Sequence, residues 1–198
     1  MNLPGVYDTF NKLWNNYQTI FIISDLHFSD KDLRQGFPNR PSDEELVRRI
    51  NAKVGRKDIL ICLGDCGSPE FVRQLRGYKV LIAGNHEPGL SAFDEIFDEI
   101  YSGALIIGEK IILSHEPIPG ISWTMNIHGH NHNKNSKNDA NHFNVCADVI
   151  GYEPINFNQW LKAGHLSKIQ TLHRQIIDRA IERKKKRGKK INASHINK

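Results

Sequence analysis

Short apolar runs recur along residues 19–150 of this chain, and polar side chains follow directly after five of them. The five runs are FIIS, ILICLG, KVLIAG, KIILS and TMNI. Each has the length of one buried strand, and helical patterns lie between several of them, which is typical of an α/β domain. Because ligand sites in open α/β sheets lie beyond the carboxyl ends of strands, these polar residues are predicted to share one site.

The residues that follow the runs are of types that bind transition metals. They are Asp25, His27, Asp65, Asn85, His86, Glu87, His115, His128, His130 and His132. Residues two apart in an extended chain point the same way, so Asp25 and His27 can reach one ion. Carboxylate, imidazole and amide donors together favour Mn, Fe, Ni or Zn over an all-oxygen calcium site. Glycine at positions 64, 84 and 129 directly precedes polar residues of this set and lets the backbone turn sharply there.

Local patterns predict further elements between the runs. Ser42 and Glu45 form a capping box at the start of a helix. Residues 91–103 repeat apolar side chains at helical spacing, which predicts another helix. The segment ALIIGEKIILS is typical of a hairpin that turns at Gly108 and Glu109.

Basic residues are concentrated at the C-terminal end. Residues 162–198 hold 12 of the 27 Lys and Arg residues but 2 of the 22 acidic residues. Helical spacing from Leu166 to Ile181 predicts an amphipathic helix that runs into the basic segment RKKKRGKK, followed by a disordered polar end. This tail either contacts nucleic-acid phosphates or is a solubilising extension, and no aromatic residue after Trp160 offers a base-stacking surface.

The length favours one domain with an extension. A chain of 198 residues can bury one core but is short for two. We expect a domain over residues 1–164, with its core at about 19–160, and a basic helical or disordered tail over 165–198. No apolar run is long enough to span a bilayer, the first residues do not resemble a secretion signal, and the three cysteines are an odd number. These features predict a cytoplasmic protein with reduced thiols and no membrane partner.

The order of the polar blocks resembles a known family, the calcineurin-like metallophosphoesterases, over roughly residues 19–150. The blocks are, in chain order, Asp25-x-His27, Gly64-Asp65, Gly84-Asn85-His86-Glu87, His115 and Gly129-His130-x-His132. The segments FPNRP, SHEP and NV-x-AD-x-x-x-YEPINF further resemble a small subgroup of bacterial and phage phosphoesterases. The resemblance implies an α/β fold, a four-layer α/β/β/α sandwich with metal ions at one edge of the sheets.

The resemblance also implies two divalent metal ions and a role for each block. The ligands of the first ion would be Asp25, His27, Asp65 and His132. Asp65 would bridge to a second ion, and the further ligands of that ion would be Asn85, His115 and His130. A hydroxide between the ions would attack phosphorus, while His86 protonates the leaving group and Glu87 orients His86. The family usually has Asp at position 87.

The sequence leaves the substrate and its contacts open. Arg34 and Arg40 either meet a phosphate, to which Arg can form two parallel bonds, or lie in a solvated loop. His128 is expected beside the ligands, either supporting them or facing the substrate. We expect a hydrolase of phosphoric monoesters or diesters, with manganese among the fitting ions and a small nucleotide-like substrate favoured. The alternative is a metal-binding scaffold or nucleic-acid-binding protein with little activity. The presence of all seven proposed ligands and of His86 favours the enzyme. The sequence does not predict the oligomeric state or the role of residues 1–18.

Overall fold

A computed structural model of the protein describes residues 19–87, 89–107, 110–133 and 138–196. Within these ranges the strands are β1 (Ile20–Ile23), β2 (Ile59–Cys62), β3 (Tyr78–Ile82), β4 (Glu99–Tyr101), β5 (Leu105–Ile107), β6 (Ile111–Leu113), β7 (Met125–His128), β8 (His142–Asn144) and β9 (Ile155–Asn156). The helices are α1 (Lys31–Gly36), α2 (Asp43–Lys53), α3 (Pro69–Arg73), α4 (Ala147–Ile150), α5 (Phe157–Lys162) and α6 (Leu172–Ile196).

The strands form two sheets in which most neighbours are parallel. The first sheet has the order β4-β3-β2-β1-β9, with β1 to β4 parallel and β9 antiparallel. The second has the order β5-β6-β7-β8, with only β5 antiparallel to its neighbour. In the first sheet Ile23 pairs with Cys62, and Cys62 pairs with Leu81. The carboxyl ends of β1, β2 and β3 are therefore level with one another at one edge.

Alternate side chains of the first sheet enter two different cores. On β1, Ile20 and Ile22 belong to a cluster with apolar side chains of the second sheet, such as Leu113. Phe21 and Ile23 belong to a cluster with helix α2. Both faces of the first sheet are thus buried, one against the second sheet and one against helices, which explains the continuous apolar runs. The prediction of an α/β sandwich is confirmed.

The prediction of one helix over residues 91–103 is wrong. The chain forms a 3₁₀ turn at Leu90–Phe93 and then strand β4. Strand β4 pairs in parallel with β3, and the preceding Ile96 and Phe97 are buried in the helix-side core. Pairing with the sheet edge therefore overrides the helical spacing. Strands β5 and β6 pair as the predicted hairpin, although its turn at Gly108 and Glu109 lies outside the described residues.

The C-terminal helix begins later than the sequence pattern indicates. Residues 163–168 form turns, Ile169 is buried in the inter-sheet core, and α6 starts at Leu172 and continues to Ile196. Ile176 on this helix is 56% exposed, so its apolar side chains do not all pack on the domain. Residues 183–186 of the basic segment are exposed, and nucleic-acid contact through them stays a prediction. None of the described helices is long and apolar enough to cross a membrane.

Candidate metal centre

The strand ends gather the predicted ligands into two adjoining clusters. The first contains Asp25, His27 and His132. Nε2 of His132 lies 3.5 Å and Nε2 of His27 lies 4.0 Å from Oδ1 of Asp25. Asp25 and His27 follow β1 of the first sheet, whereas His132 follows β7 of the second. The first cluster is therefore formed where the edges of the two sheets meet.

The second cluster contains Asp65, His115 and His130, with Asn85 beside them. Nε2 of His115 is its centre, lying 2.8 Å from Asn85 Oδ1, 3.1 Å from His130 Nδ1 and 3.3 Å from Asp65 Oδ2. The same Asp65 oxygen lies 3.5 Å from Nε2 of His27 in the first cluster. Asp65 is thus the residue that connects the two clusters.

The hydrogen bonds of three imidazole rings leave their Nε2 atoms facing these carboxylates. His27 Nδ1 lies 3.1 Å from Asp30 Oδ2, and His132 Nδ1 lies 2.7 Å from Asp148 Oδ2. His115 Nδ1 lies 2.9 Å from the carbonyl oxygen of Leu63. Since carboxylates and carbonyls accept, each Nδ1 carries the proton, and in a neutral ring the lone pair of Nε2 points into the centre. Fixing Nδ1–H in this way is the usual arrangement of metal-binding histidines.

Unsatisfied buried atoms support the same interpretation. Oδ1 of Asp25 and Nε2 of His27 are buried and have no hydrogen-bond partner. Buried polar atoms without partners are costly unless an ion completes their environment. The donor set, which combines carboxylates, imidazoles and one amide, fits divalent transition metals. The residues present therefore fit a metal centre.

Electrostatics also favour a cation between the clusters. Burial opposes ionisation of Asp65, but hydrogen bonds from the His115 ring and the His86 backbone lower its pKa to about 2. Burial likewise opposes protonation of His115, but Asp65 and Asp25 outweigh it and raise its pKa to about 9. In the metal-free protein a proton is therefore stabilised at the position where a metal ion would bind, so proton and metal compete.

The backbone around the centre is locally strained. Positive φ angles of 42° to 65° occur at Asp25, His27, Asp65 and His130. A Cβ atom on Gly129 would lie 2.4 Å from Asp25 Oδ2, and one on Gly84 would lie 2.2 Å from Asp65 Oδ1. These two glycines therefore permit a close approach that no larger residue allows. Left-handed backbone at several ligands is typical of functional sites.

A buried network supports His132, and the sequence motifs that contain its residues did not indicate this role. Asp148 is 1% exposed, and its Oδ2 accepts from His132 Nδ1 and, at 2.5 Å, from Arg40 Nη1. Its Oδ1 accepts from the Tyr152 hydroxyl at 2.8 Å. Burial opposes ionisation of Asp148, but the His132 bond and the Arg40 charge lower its pKa to about 2. Asp148 is therefore a charged acceptor that orients a proposed ligand.

We expect Asp148→Asn to weaken metal binding about 10–100-fold, the usual effect of removing a partner of a ligating histidine. The amide would remove the negative charge that holds the His132 Nδ1 proton. Metal titration followed by calorimetry measures the change, with Tyr152→Phe as a control that removes only one hydrogen bond to the same carboxylate. Unchanged affinity in folded Asp148→Asn protein would rule out this orienting role.

The two arginines considered as phosphate contacts are both hydrogen-bonded to partners within the chain. Arg40 is 6% exposed, and its Nη2 donates to the carbonyl oxygens of Asp25, at 2.6 Å, and Leu26, at 2.5 Å. Its Nη1 donates to Asp148, so this buried guanidinium connects the backbone at Asp25, a member of the first cluster, to the carboxylate that holds His132. Arg34 donates to Asp43 Oδ1 at 2.5 Å and to the carbonyl of Pro41 at 2.8 Å. Both groups are thus engaged by partners within the chain, and we propose a structural role for each.

The carboxylate of Glu87, which is expected to orient His86, is hydrogen-bonded to the backbone. Its carboxylate accepts from the backbone N–H of Gly84 at 2.9 Å and of Cys66 at 3.3 Å. Burial and the nearby charge of Asp65 raise its pKa. These bonds join the loops that follow β2 and β3, which carry Asp65 and Asn85. We therefore propose that Glu87 positions these loops.

His86 and His128 occupy two neighbouring spaces. The exposed His86 side chain lines a cleft of about 410 Å³ together with His27, Asp65, His130 and His132. The backbone N–H of His86 donates to Asp65 Oδ1 at 2.8 Å. His128 is 4% exposed and lines a separate pocket, and burial lowers its pKa. The His86 side chain therefore lies in a cleft that is also lined by members of both clusters.

An α/β sandwich that gathers Asp and His side chains at its strand ends has the architecture of a metal-dependent hydrolase. The chain belongs to the calcineurin-like phosphoesterase family, whose sequence profile matches residues 18–195. Membership makes the protein a metal-dependent phosphoesterase, a hydrolase that acts on phosphoric ester bonds. A search of curated proteins finds no significant match.

Solved structures that are similar to this one include three proteins. A protein of unknown function, AQ665 from Aquifex aeolicus, is 26% identical, with a TM-score of 0.62 over 74% of this chain and 99% of that chain. Nuclease MPE from Pseudomonas putida is 24% identical, with a TM-score of 0.40 over 57% of this chain and 61% of that chain. YfcE, a phosphoesterase from E. coli, is 16% identical, with a TM-score of 0.38 over 65% of this chain and 78% of that chain.

Proposed function

We propose that this chain hydrolyses phosphoric monoesters or diesters with two divalent metal ions, and that its substrate is nucleotide-like. The observation that carries the proposal is the position of Asp65 Oδ2, which lies 3.5 Å from His27 Nε2 and 3.3 Å from His115 Nε2. A carboxylate oxygen that faces two histidine-containing clusters suits a ligand shared by two ions.

Each proposed ion has four ligands, and the two sets share Asp65. The first set is Asp25, His27, Asp65 and His132. The second set is Asp65, Asn85, His115 and His130. When bound, two such ions supply an activated water as nucleophile and offset the negative charge that develops on the phosphate oxygens. The mixed donors favour Mn, Fe, Ni or Zn.

The chain itself supplies positioning and a proton. The cleft holds the phosphate against the clusters, and the His86 ring at its exposed rim has room to reach the departing oxygen. In its protonated form this ring would donate a proton to that oxygen as the ester bond breaks. The bond from the His86 backbone to Asp65 keeps the acid and the shared ligand in a fixed relation.

Metal removal tests the proposal. We expect chelator-treated protein to lose hydrolysis of p-nitrophenyl phosphate and bis-p-nitrophenyl phosphate, and to regain it with Mn, Fe, Ni or Zn added singly. Metal binding should also raise the free energy of unfolding, by about 2.7 kcal/mol at a concentration 100 times the dissociation constant. The preferred ester identifies the substrate class. If metal binds stoichiometrically but neither ester is hydrolysed, the protein is instead a metal-binding scaffold or acts on a narrower substrate class.

A further inference from the structure

A second pocket adjoins the cleft and shares its loop. It has a volume of about 340 Å³, and its lining includes Pro117, Pro119, His128, Asn131, Asn138 and His142. The segment 128–132 borders both spaces, since His130 and His132 line the cleft while His128 and Asn131 line the pocket. The volume is at the lower end of the usual range for small-ligand sites, about 300–1,000 Å³. A substrate with its phosphate in the cleft therefore has an adjacent space for the rest of the molecule.

His128 offers a hydrogen-bond acceptor to this pocket. Its Nδ1 lies 2.8 Å from the carbonyl oxygen of Gly129, which can only accept, so Nδ1 carries the proton. Nε2 of the neutral ring is then an acceptor, and it has no hydrogen-bond partner among the described residues. The residue as a whole is 4% exposed, and it is part of the pocket lining. An N–H group on a ligand would satisfy this atom.

Flat aromatic and apolar surfaces surround that acceptor. The His142 ring packs edge-on against the His128 ring, with centroids 6.0 Å apart and an interplanar angle of 73°. His142 is itself fixed, since its Nε2 lies 2.9 Å from Ile118 O and its Nδ1 lies 3.0 Å from Asp139 Oδ1. Pro117 and Pro119 add apolar surface. Histidine rings beside polar groups are typical surfaces for stacking bases and reading their edges.

Charge and amide groups point to the same kind of ligand. The described lining residues include the carboxylate of Asp139 but no Lys or Arg. The carboxylate of Asp139 is therefore favourable for an amino group of a ligand. Oδ1 of Asn138 accepts from the backbone of Asn144 at 2.8 Å, which leaves its amide N–H groups as donors. The pocket thus combines donors and acceptors around a flat space.

We propose that this pocket binds the base of a nucleoside or nucleotide, with an N–H group of the base donating to Nε2 of His128. The inference rests on the proposed phosphoester hydrolysis and extends it by placing the part of the substrate that is not phosphate. All four common bases carry such an N–H group, whereas ribose does not. His128 is then a specificity-determining residue that is not a metal ligand.

Saturation-transfer NMR on the metal-loaded protein tests the proposal with adenosine, guanosine, cytidine, uridine and ribose. We expect at least one nucleoside to bind with the strongest transfer to its base protons, while ribose does not bind. His128→Leu should weaken that binding on the order of tenfold, within the range expected for one base contact. His173→Leu, at an exposed position on α6, is the matched control and should bind like wild type. Asn138→Ala, also at an exposed position, tests the same pocket if His128→Leu does not fold.

The outcomes separate this inference from the proposed function. If no nucleoside binds, or if binding is equally strong in folded His128→Leu and in Asn138→Ala, the base pocket is wrong even though p-nitrophenyl esters are hydrolysed. If nucleosides bind as expected but no ester is hydrolysed with any metal, the pocket stands and the hydrolase proposal fails.

Discussion

Replacement of Asp65 by Asn is expected to abolish metal-dependent ester hydrolysis. The substitution removes a negative charge and places an amide where one oxygen faces both His27, at 3.5 Å, and His115, at 3.3 Å. Because the pKa of Asp65 is lowered to about 2, the lost charge is present at any ordinary working pH. We expect hydrolysis to fall by well over 100-fold, because removal of only the hydrogen-bond partner of a ligand already costs up to roughly 100-fold in activity or metal affinity. Turnover of p-nitrophenyl esters and metal content per chain measure the effect.

The matched control for this variant is Asp94→Asn. Asp94 is exposed, lies directly after the 3₁₀ turn and is not one of the proposed ligands. The same change of charge there should leave turnover and metal content as in wild type. If folded Asp65→Asn protein retained more than a tenth of the wild-type turnover, Asp65 would not be the shared ligand.

Replacement of His86 by Ala is expected to slow hydrolysis by about 10²–10⁴-fold for esters with a poor leaving group. An alkoxide needs a proton as it departs, whereas p-nitrophenolate departs without one. The loss should therefore be large for alkyl phosphates and small for p-nitrophenyl phosphate. Because His86 is not one of the proposed ligands, metal content should stay at the wild-type level. The measurement is the turnover of both ester types by wild-type and His86→Ala protein, and the loss for the alkyl ester is compared with the loss for the p-nitrophenyl ester.

His173→Ala, an exposed histidine on α6, is the control and should leave both rates unchanged. The dependence on the leaving group separates acid catalysis from a structural effect. An equal fall in both rates would mean that His86 binds or positions the substrate and does not donate a proton.

The polar residues that follow the apolar runs could be predicted to lie close together, because a local sequence pattern is enough to predict the buried strands. Runs such as ILICLG are buried on both faces, and parallel pairing places their ends at one edge. The residues that follow, such as Asp25 and Asp65, then converge without any further information about the fold. Strand β4 could not be predicted in this way, because pairing with β3 overrides its local helical spacing.

The support around the centre could not be predicted, because it depends on contacts between distant parts of the chain. Asp148 is hydrogen-bonded to Arg40, which is 108 positions away in the sequence, and no local pattern marks Asp148 as a partner of His132. The same limitation applies to Glu87, because the motif does not indicate that its carboxylate binds the backbone N–H groups of Cys66 and Gly84. Spacing therefore indicates which side chains gather at the site, whereas the structure shows what holds them.

The central claim is that two metal ions share Asp65, and electron paramagnetic resonance of the manganese-loaded protein tests it most directly. Two Mn²⁺ ions that share a carboxylate are coupled magnetically, so we expect two equivalents of bound Mn²⁺ and the multiline spectrum of a coupled pair. In Asp65→Asn protein that spectrum should disappear. A wild-type protein that binds one equivalent, or that shows only the six-line spectrum of isolated Mn²⁺, would contradict the claim.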